Sequence, residues 1–246
     1  FFGQWIKTKG FAHFDIQWVI ERNGTYSINL KQTPRFNEEV YKNVPITISA
    51  FSDKMERYDE VVVVNEKEQT FEITPPFGAV YWAYDFDDKL SDATTTATNV
   101  LTKDGGYILL DDGLIVLTMK NLPEGDSVLV RVDHHWAPAD GTYGIPAGVV
   151  ISPQRYWNID GVGLEKADFS AELNYSGIKT TSSGAYGYLD DQLIRITEDS
   201  LVLLYRPNGS SAWSIFPEYD KGMGSPLDKR GNIYIPNLKK GQYTFG

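Results

Sequence analysis

The stretch FDIQWVIERNGTYSINLKQ, residues 14–32, decides the fold of this chain. Apolar side chains occupy every second position on both sides of a central Asn23-Gly24 pair: Phe14, Ile16, Trp18 and Ile20 before it, and Tyr26, Ile28 and Leu30 after it. Such alternation places one apolar face of a strand on a core, and Asn-Gly adopts the positive φ angles of a tight two-residue turn. The stretch therefore predicts a β-hairpin that buries this alternating set.

Strand-like runs continue along the first part of the chain, separated by polar, Pro and Gly residues that are typical of turns. They are VPITISAF (44–51), EVVVVN (60–65), QTFEIT (69–74) and AVYWAYDF (79–86). With the hairpin they make six strands by residue 86, which favours a β-sandwich. The pattern then stops in SDATTTATNVLTKDGG (91–106), which is poor in large apolar residues and is the predicted domain boundary.

A second series of short strands follows the predicted boundary. Its members are YILL (107–110), LIVLTM (114–119), SVLVRVD (127–133), GVVIS (148–152), FSAELNY (169–175), LIRIT (193–197), SLVLLYR (200–206), WSIFP (213–217), NIYIP (232–236) and QYTFG (242–246). No segment shows a sustained helical stripe, and at most a turn or two of helix is expected, at residues 1–6.

The predicted fold class is all-β, with almost no helix and two consecutive antiparallel β-sandwich units. Each unit would be immunoglobulin- or fibronectin-like, or jelly-roll-like. The first unit covers residues 1–93 and the second covers residues 94–246. A sub-boundary near residues 140–148 would divide the second unit again, although ten strands also fit one sandwich.

Composition excludes several classes of function. The 246 residues carry a net charge of −10, which disfavours nucleic acid as a partner. The longest apolar runs are strand-length and fall short of the roughly 20 residues of a membrane helix, so no membrane span is expected. The absence of Cys excludes disulfides, thiolate metal sites and cysteine nucleophiles.

Candidate catalytic and metal-binding groups do not form a known motif. His134 and His135 are adjacent, so on a strand they point to opposite faces, and His13 has no partner at ligand spacing. The acidic runs YDFDDKLSD, LLDDGL and YLDDQL lack the spacing of a twelve-residue calcium loop and are typical of turns. A carboxylate-based hydrolase would need two acids in one cleft, which sequence cannot place. No catalytic, cofactor-binding or metal-binding residue is therefore assigned.

Aromatic side chains in loop-like sequence are candidates for an interaction surface. They are Trp136, Tyr143, Tyr156 and Trp157. Exposed Trp and Tyr side chains on a β-sandwich can stack on sugar rings or form a patch for a protein partner. One hypothesis is therefore an autonomous glycan- or protein-binding module.

Residues 1–93 resemble the β-sandwich that follows the catalytic region in M1-family zinc aminopeptidases. The matching residues are Phe1, Phe2, Trp5, Gly10, Phe14, Gly24, Leu30 and Gln32, together with VPITISAF and FEITPPFGAVYWAYDFDDKLSDA. The family usually has a Pro shortly after the Gly of its turn, whereas this chain reads Gly10-Phe11-Ala12. The second half is similar, more loosely, to C-terminal extensions of Bacteroidetes-type exported M1 peptidases.

The resemblance implies a non-catalytic C-terminal region of an M1-like enzyme. The family's zinc-binding HExxH and its GxMEN substrate motif have no counterpart among the 246 residues, so the chain itself is not expected to be an enzyme or to hold a cofactor. The parent would use zinc and would be exported, as a periplasmic, cell-surface or secreted protein. The expected partner is the missing catalytic domain of the same polypeptide, with Phe1, Phe2 and Trp5 at the joint.

Overall fold

The computed structural model describes residues 2–7, 9–37, 39–110, 114–139, 143–178 and 189–246, without the side chains of residues 2, 109 and 110. These residues are nearly all strands and loops, with one short helix, α1 (Phe2–Trp5), and one 3-10 turn (Leu164–Lys166). The all-β prediction and the short N-terminal helix are confirmed. The strands are β1 (Phe14–Arg22), β2 (Thr25–Gln32), β3 (Val44–Phe51), β4 (Arg57–Val64), β5 (Glu68–Ile73), β6 (Tyr81–Tyr84), β7 (Thr94–Leu101), β8 (Tyr107–Leu110), β9 (Ile115–Lys120), β10 (Val128–His135), β11 (Tyr156–Val162), β12 (Asp168–Ser176), β13 (Leu203–Arg206), β14 (Ser214–Ile215), β15 (Asp220–Met223), β16 (Arg230–Ile235) and β17 (Gly241–Phe245).

The chain divides into two compact units, Phe1–Thr94 with Asn208–Ser210 and Thr95–Pro207 with Ser211–Gly246. The first unit is a small sandwich of two three-stranded sheets, ordered β1-β2-β5 and β4-β3-β6. Its core lies between them, with Ile28 and Leu30 from one sheet and Ile46 and Ile48 from the other fully buried. Alternating apolar residues of both sheets thus make one core, as expected for a sandwich.

The predicted hairpin is present, but a β-bulge changes which side chains it buries. Asn23 and Gly24 have positive φ angles and connect β1 to β2, with Arg22 opposite Thr25. The register shifts between Ile16 and Trp18, so one extra residue sits in β1. Beyond the bulge Val19 lies opposite the buried Ile28 and packs on the core, while Ile20 is 45% exposed. The predicted inward position of Ile20 is therefore wrong.

Gln32 ends β2 and ties three backbone segments together. Its buried side chain accepts a hydrogen bond from the Tyr41 backbone N–H at 2.8 Å. Its amide donates to the carbonyl oxygens of Tyr41 at 2.9 Å and Glu66 at 2.8 Å. Buried backbone groups need hydrogen-bond partners, and Gln32 supplies them here. Gln32 therefore holds the loop before β3, which contains Tyr41, and the loop after β4, which contains Glu66.

The second unit is a larger sandwich with a six-stranded and a five-stranded sheet. The six-stranded sheet is ordered β14-β13-β17-β11-β10-β7, and the five-stranded sheet is ordered β15-β16-β12-β9-β8. Their inner faces share one core, in which Val130, Ile159, Leu173 and Ile233 are fully buried. The cross-strand pairings recorded for these sheets are antiparallel, which agrees with the predicted fold class.

Five segments of the second unit differ from the strand predictions. The Thr-rich predicted boundary contains β7, an edge strand that needs few apolar residues, and β11 and β15 were not predicted. The predicted strands at 148–152 and 193–197 are loops instead. In the second of these, Leu193 and Ile194 donate backbone hydrogen bonds to the Asp190 carbonyl in consecutive turns. Residues 140–142, at the predicted sub-boundary, lie outside the described residues.

Candidate functional site

Helix α1 is held on the first sandwich by an amide clamp and an aromatic contact. Gln4 donates to the Lys42 carbonyl oxygen at 2.6 Å and accepts from the Lys42 N–H at 3.0 Å. The Trp5 ring packs on Tyr41, with ring centroids 5.0 Å apart. The segment that contains Trp5 is therefore an ordered part of the first unit. Phe1 and the side chain of Phe2 lie outside the described residues.

These contacts form one wall of a surface hollow of about 410 Å³ in the first unit. It is lined by Gln4, Trp5, Lys42, Asn43, Val44, Pro45 and Leu90. The apolar part of the lining comes from Trp5, Val44, Pro45 and Leu90. Lys42 is exposed and brings an ammonium group. Such a lining fits an apolar side chain with a polar or acidic neighbour. Sequence identified Trp5 but gave no signal for the Gln4 clamp, which pairs residues 38 positions apart.

The four loop aromatics do not form one exposed platform. Tyr156 and Trp157 begin β11 and are fully buried, because β11 lies between β10 and β17 in the middle of the six-stranded sheet. Trp157 belongs to the core and packs edge-on against Phe245 at 5.2 Å. Their prediction as loop residues and as part of an interaction surface is therefore wrong.

Trp136 and Tyr143 lie in the loop that follows β10. Trp136 is half-buried, and its indole N–H donates to the Thr95 hydroxyl at 2.8 Å. Tyr143 is 76% exposed, and its carbonyl oxygen accepts from the Trp213 N–H. Of the four predicted aromatics, only Tyr143 offers a largely open ring.

The three histidines are buried and are used in packing. His134 and His135 end β10 and face opposite sides of the sheet, as expected from their adjacency. The His134 ring stacks on Trp157 with centroids 5.0 Å apart, and the His135 ring stacks on Tyr156 at 4.2 Å. His13 is 2% exposed. Within the described ranges, no group of three or more His, Asp or Glu side chains could hold a metal ion.

Two of the acidic runs have structural explanations. Asp85 follows β6, and its carboxylate accepts hydrogen bonds from the Lys89 and Leu90 N–H groups, which closes a turn. Asp190 is fully buried and pairs with the equally buried Arg155 at 2.7 Å. Its carboxylate also accepts from the Ser176 N–H at 2.8 Å. Residues 111 and 112, of the third run, lie outside the described residues.

Glu198 is a buried carboxyl group. No motif or spacing in the sequence marks it as a candidate. The residue has no exposed surface, and neither carboxyl oxygen has a hydrogen-bond partner in the part of the chain that the structure describes. The Tyr175 hydroxyl lies near enough to affect the pKa of this carboxyl group. Burial raises the pKa of Glu198, with the charges of Asp228 and Asp199 adding to the increase, while Tyr175 and Lys221 oppose it. Burial likewise raises the pKa of the Tyr175 hydroxyl.

A charged cluster stabilises the surface next to the Asp85 turn. Arg57 donates two parallel hydrogen bonds to the Asp87 carboxylate, at 2.6 and 2.8 Å. This guanidinium and the Lys89 ammonium hold the pKa of Asp87 well below its usual range. The groups are partly exposed and form a structural clamp between β4 and the loop after β6.

Comparison of the chain with protein-family models, curated proteins and solved structures finds no match. The resemblance to M1 aminopeptidases therefore stays a prediction. No helix in the described ranges has the length and apolar character needed to cross a membrane.

Proposed function

We propose that this chain is a non-catalytic, C-terminal region of an M1-like exported zinc metallopeptidase. Its two sandwiches would support a catalytic domain of the same polypeptide and contact it near α1. The zinc and the peptide chemistry would belong to that domain. The chain would contribute a rigid β-sheet support and an apolar contact surface.

The observation that carries the proposal is the placement of Trp5. The segment that resembles the M1 joint is folded against the first sandwich, through the Gln4 clamp and the contact with Tyr41. A loose tail remote from the sandwich would have counted against a joint at this position. The hollow beside Trp5 also supports the proposal, because Pro45 and Leu90 present apolar surface that a neighbouring domain can cover.

The first experiment asks whether the chain has activity of its own. The purified chain is incubated with aminoacyl-p-nitroanilides, with and without added Zn²⁺. No turnover is expected. Zinc-dependent turnover that co-purifies with the chain, and that is lost on a point substitution in it, would contradict the proposal.

The second experiment concerns the joint. The coding sequence upstream of Phe1 is expected to encode HExxH, and a protein expressed from it should bind this chain. Trp5→Ala should weaken that binding about tenfold or more, because central aromatic residues dominate interfaces. Tyr143→Ala removes an exposed aromatic of the second unit and serves as the matched control. Equal affinities of the two variants, with both still folded by circular dichroism, would reject Trp5 as part of the joint.

A further inference from the structure

The turn between β1 and β2 exposes the side chain of Asn23. Asn23 and Gly24 are both exposed, with φ angles of 54° and 81°. The Asn23 side chain has no hydrogen bond to any described residue. Apart from the flanking Asn23 and Thr25, no described residue has an atom within 4 Å of the position that a Cβ on Gly24 would take. The turn is therefore exposed at both residues, and no described residue outside it packs on Gly24.

The chain contains one other Asn-Gly pair, Asn208-Gly209, and its surroundings differ. The Asn208 side-chain oxygen accepts hydrogen bonds from the Ser210 N–H at 3.1 Å and from the Ser210 hydroxyl at 2.9 Å. Gly209 packs against Gln17, whose side-chain oxygen lies 3.0 Å from the position of a Cβ on Gly209. The Asn208 side chain is thus held by hydrogen bonds, whereas the Asn23 side chain has none to a described residue.

We propose that Asn23 is a site of spontaneous deamidation in the folded protein, and that Asn208 is protected from it. The Gly24 nitrogen loses its proton to solvent base and attacks the Asn23 Cγ. A Cγ–N bond forms, the Cγ–Nδ2 bond breaks, and ammonia leaves with a proton from solvent. Water then opens the succinimide ring at either carbonyl, which gives aspartate or isoaspartate.

Glu21 restrains this reaction. The Gly24 N–H donates a hydrogen bond to the Glu21 carboxylate at 2.6 Å. Hydrogen bonds to a charged acceptor are stronger than neutral ones, and this one must break before the nitrogen can be deprotonated. The negative carboxylate also disfavours an amide anion beside it. Removing the charge of Glu21 should therefore speed deamidation.

The product affects the hairpin because isoaspartate adds one carbon to the backbone of the turn. The two-residue connection places Arg22 opposite Thr25, and its positive φ angles match the twist of β1 and β2. A lengthened backbone no longer fits that turn. Either product also adds a negative charge next to Glu21.

The test follows both Asn-Gly pairs in the same molecule. The full chain is incubated in mildly alkaline buffer, and peptide mapping by mass spectrometry with isoaspartate detection gives a rate at each asparagine. The same incubation in urea measures the rates without the fold. In urea the two rates should be similar, whereas in the folded chain Asn23 should react about tenfold faster than Asn208, which is held by two hydrogen bonds.

Glu21→Gln should raise the Asn23 rate severalfold and leave the Asn208 rate unchanged. Asn23→Gln should remove the product at that turn, and circular dichroism verifies that each variant is folded. The assignment of Asn23 would be overturned if the ratio of the Asn23 and Asn208 deamidation rates were the same in the folded chain and in urea. Faster deamidation of Asn208 than of Asn23 in the folded chain would also overturn it. A slower Asn23 rate in Glu21→Gln would overturn the restraining role of Glu21.

Discussion

A buried carboxyl group makes the stability of the second unit depend on pH. The pKa of Glu198 is raised in the folded protein, so the folded state keeps a proton that the unfolded chain releases above about pH 4.3. The contribution of this group to stability is complete below that value. It is lost as the pH rises through the folded-state pKa.

Glu198→Gln should therefore remove part of the decrease in stability that accompanies a rise in pH above about 4.3. The urea midpoint of the variant should equal or exceed that of the parent at neutral pH, because the neutral amide carries no desolvated charge. Glu124 is an exposed residue of the second unit and is not among the groups that shift the pKa of Glu198, so Glu124→Gln is the matched control and should keep the parent's pH profile. Parallel profiles for the parent and Glu198→Gln would contradict a raised pKa of Glu198 in the folded state.

Removing one partner of the Arg155–Asp190 pair is expected to lower the free energy of unfolding more than removing one partner of a surface ion pair. Both side chains are fully buried, and Asp190 accepts from two guanidinium nitrogens of Arg155, at 3.1 and 2.7 Å. Asp190→Ala leaves the Arg155 charge buried without its partner and should cost about 3–5 kcal/mol. Asp126→Ala breaks a partly exposed pair with Lys166 and should cost about 0.5 kcal/mol or less.

Urea denaturation of both variants measures the difference in the free energy of unfolding. The double variant Arg155→Met/Asp190→Leu separates the loss of a charge partner from the loss of packing. It should be more stable than Asp190→Ala, because no buried charge remains. A double variant that is less stable than the single one would contradict the unpaired Arg155 charge as the source of the loss, and would assign a stabilising role to the contacts of Arg155 with Asn174 and Trp157.

At the level of elements, the bulge in β1 leads to a prediction opposite to that from simple alternation. Val19 lies opposite Ile28 and packs on the core, whereas Ile20 lies opposite Ser27 and is 45% exposed. Val19→Ala should therefore destabilise the protein by about 1–2 kcal/mol. Ile20→Ala should change stability by about 0.5 kcal/mol or less. Urea denaturation of the two variants decides between the registers, and a larger loss for Ile20→Ala would contradict the bulge.

The sequence predicts strands correctly where apolar residues alternate. It does not predict strands that form because of their position in a sheet. The first six strands follow clear alternation and Pro or Gly turns. The edge strand β7 is Thr-rich and mostly solvent-facing, so its sequence resembles a linker. Strand β11 contains Gly161, where a Cβ would lie 1.9 Å from the Leu129 carbonyl oxygen. Glycine is needed there for a close approach of strands, yet in the sequence it indicates a turn.

The candidate site was predictable from the sequence only in part. Trp5 was identified because apolar residues at that position matched a family pattern, and the structure adds the clamp and the hollow around it. The predicted aromatic platform is not present as one exposed surface. Two of its members, Tyr156 and Trp157, are buried because β11 lies in the middle of its sheet, and the order of strands in a sheet cannot be read from a local sequence pattern. The same holds for Glu198, whose environment comes from contacts that no local pattern encodes.

For the whole molecule, the two hydrophobic clusters share no residue, and this separation can be measured. Ile48 is fully buried in the core of the first unit and Ile159 in that of the second. Each Ile→Ala substitution should cost about 2–5 kcal/mol. Because the two side chains have no common neighbour in either cluster, the double variant should lose the sum of the single losses to within about 0.5 kcal/mol. Ile46→Ala/Ile48→Ala, with both residues in the first core, is the matched pair in which non-additivity is expected. Non-additivity of Ile48 and Ile159 in urea denaturation would contradict a chain built on two separate cores.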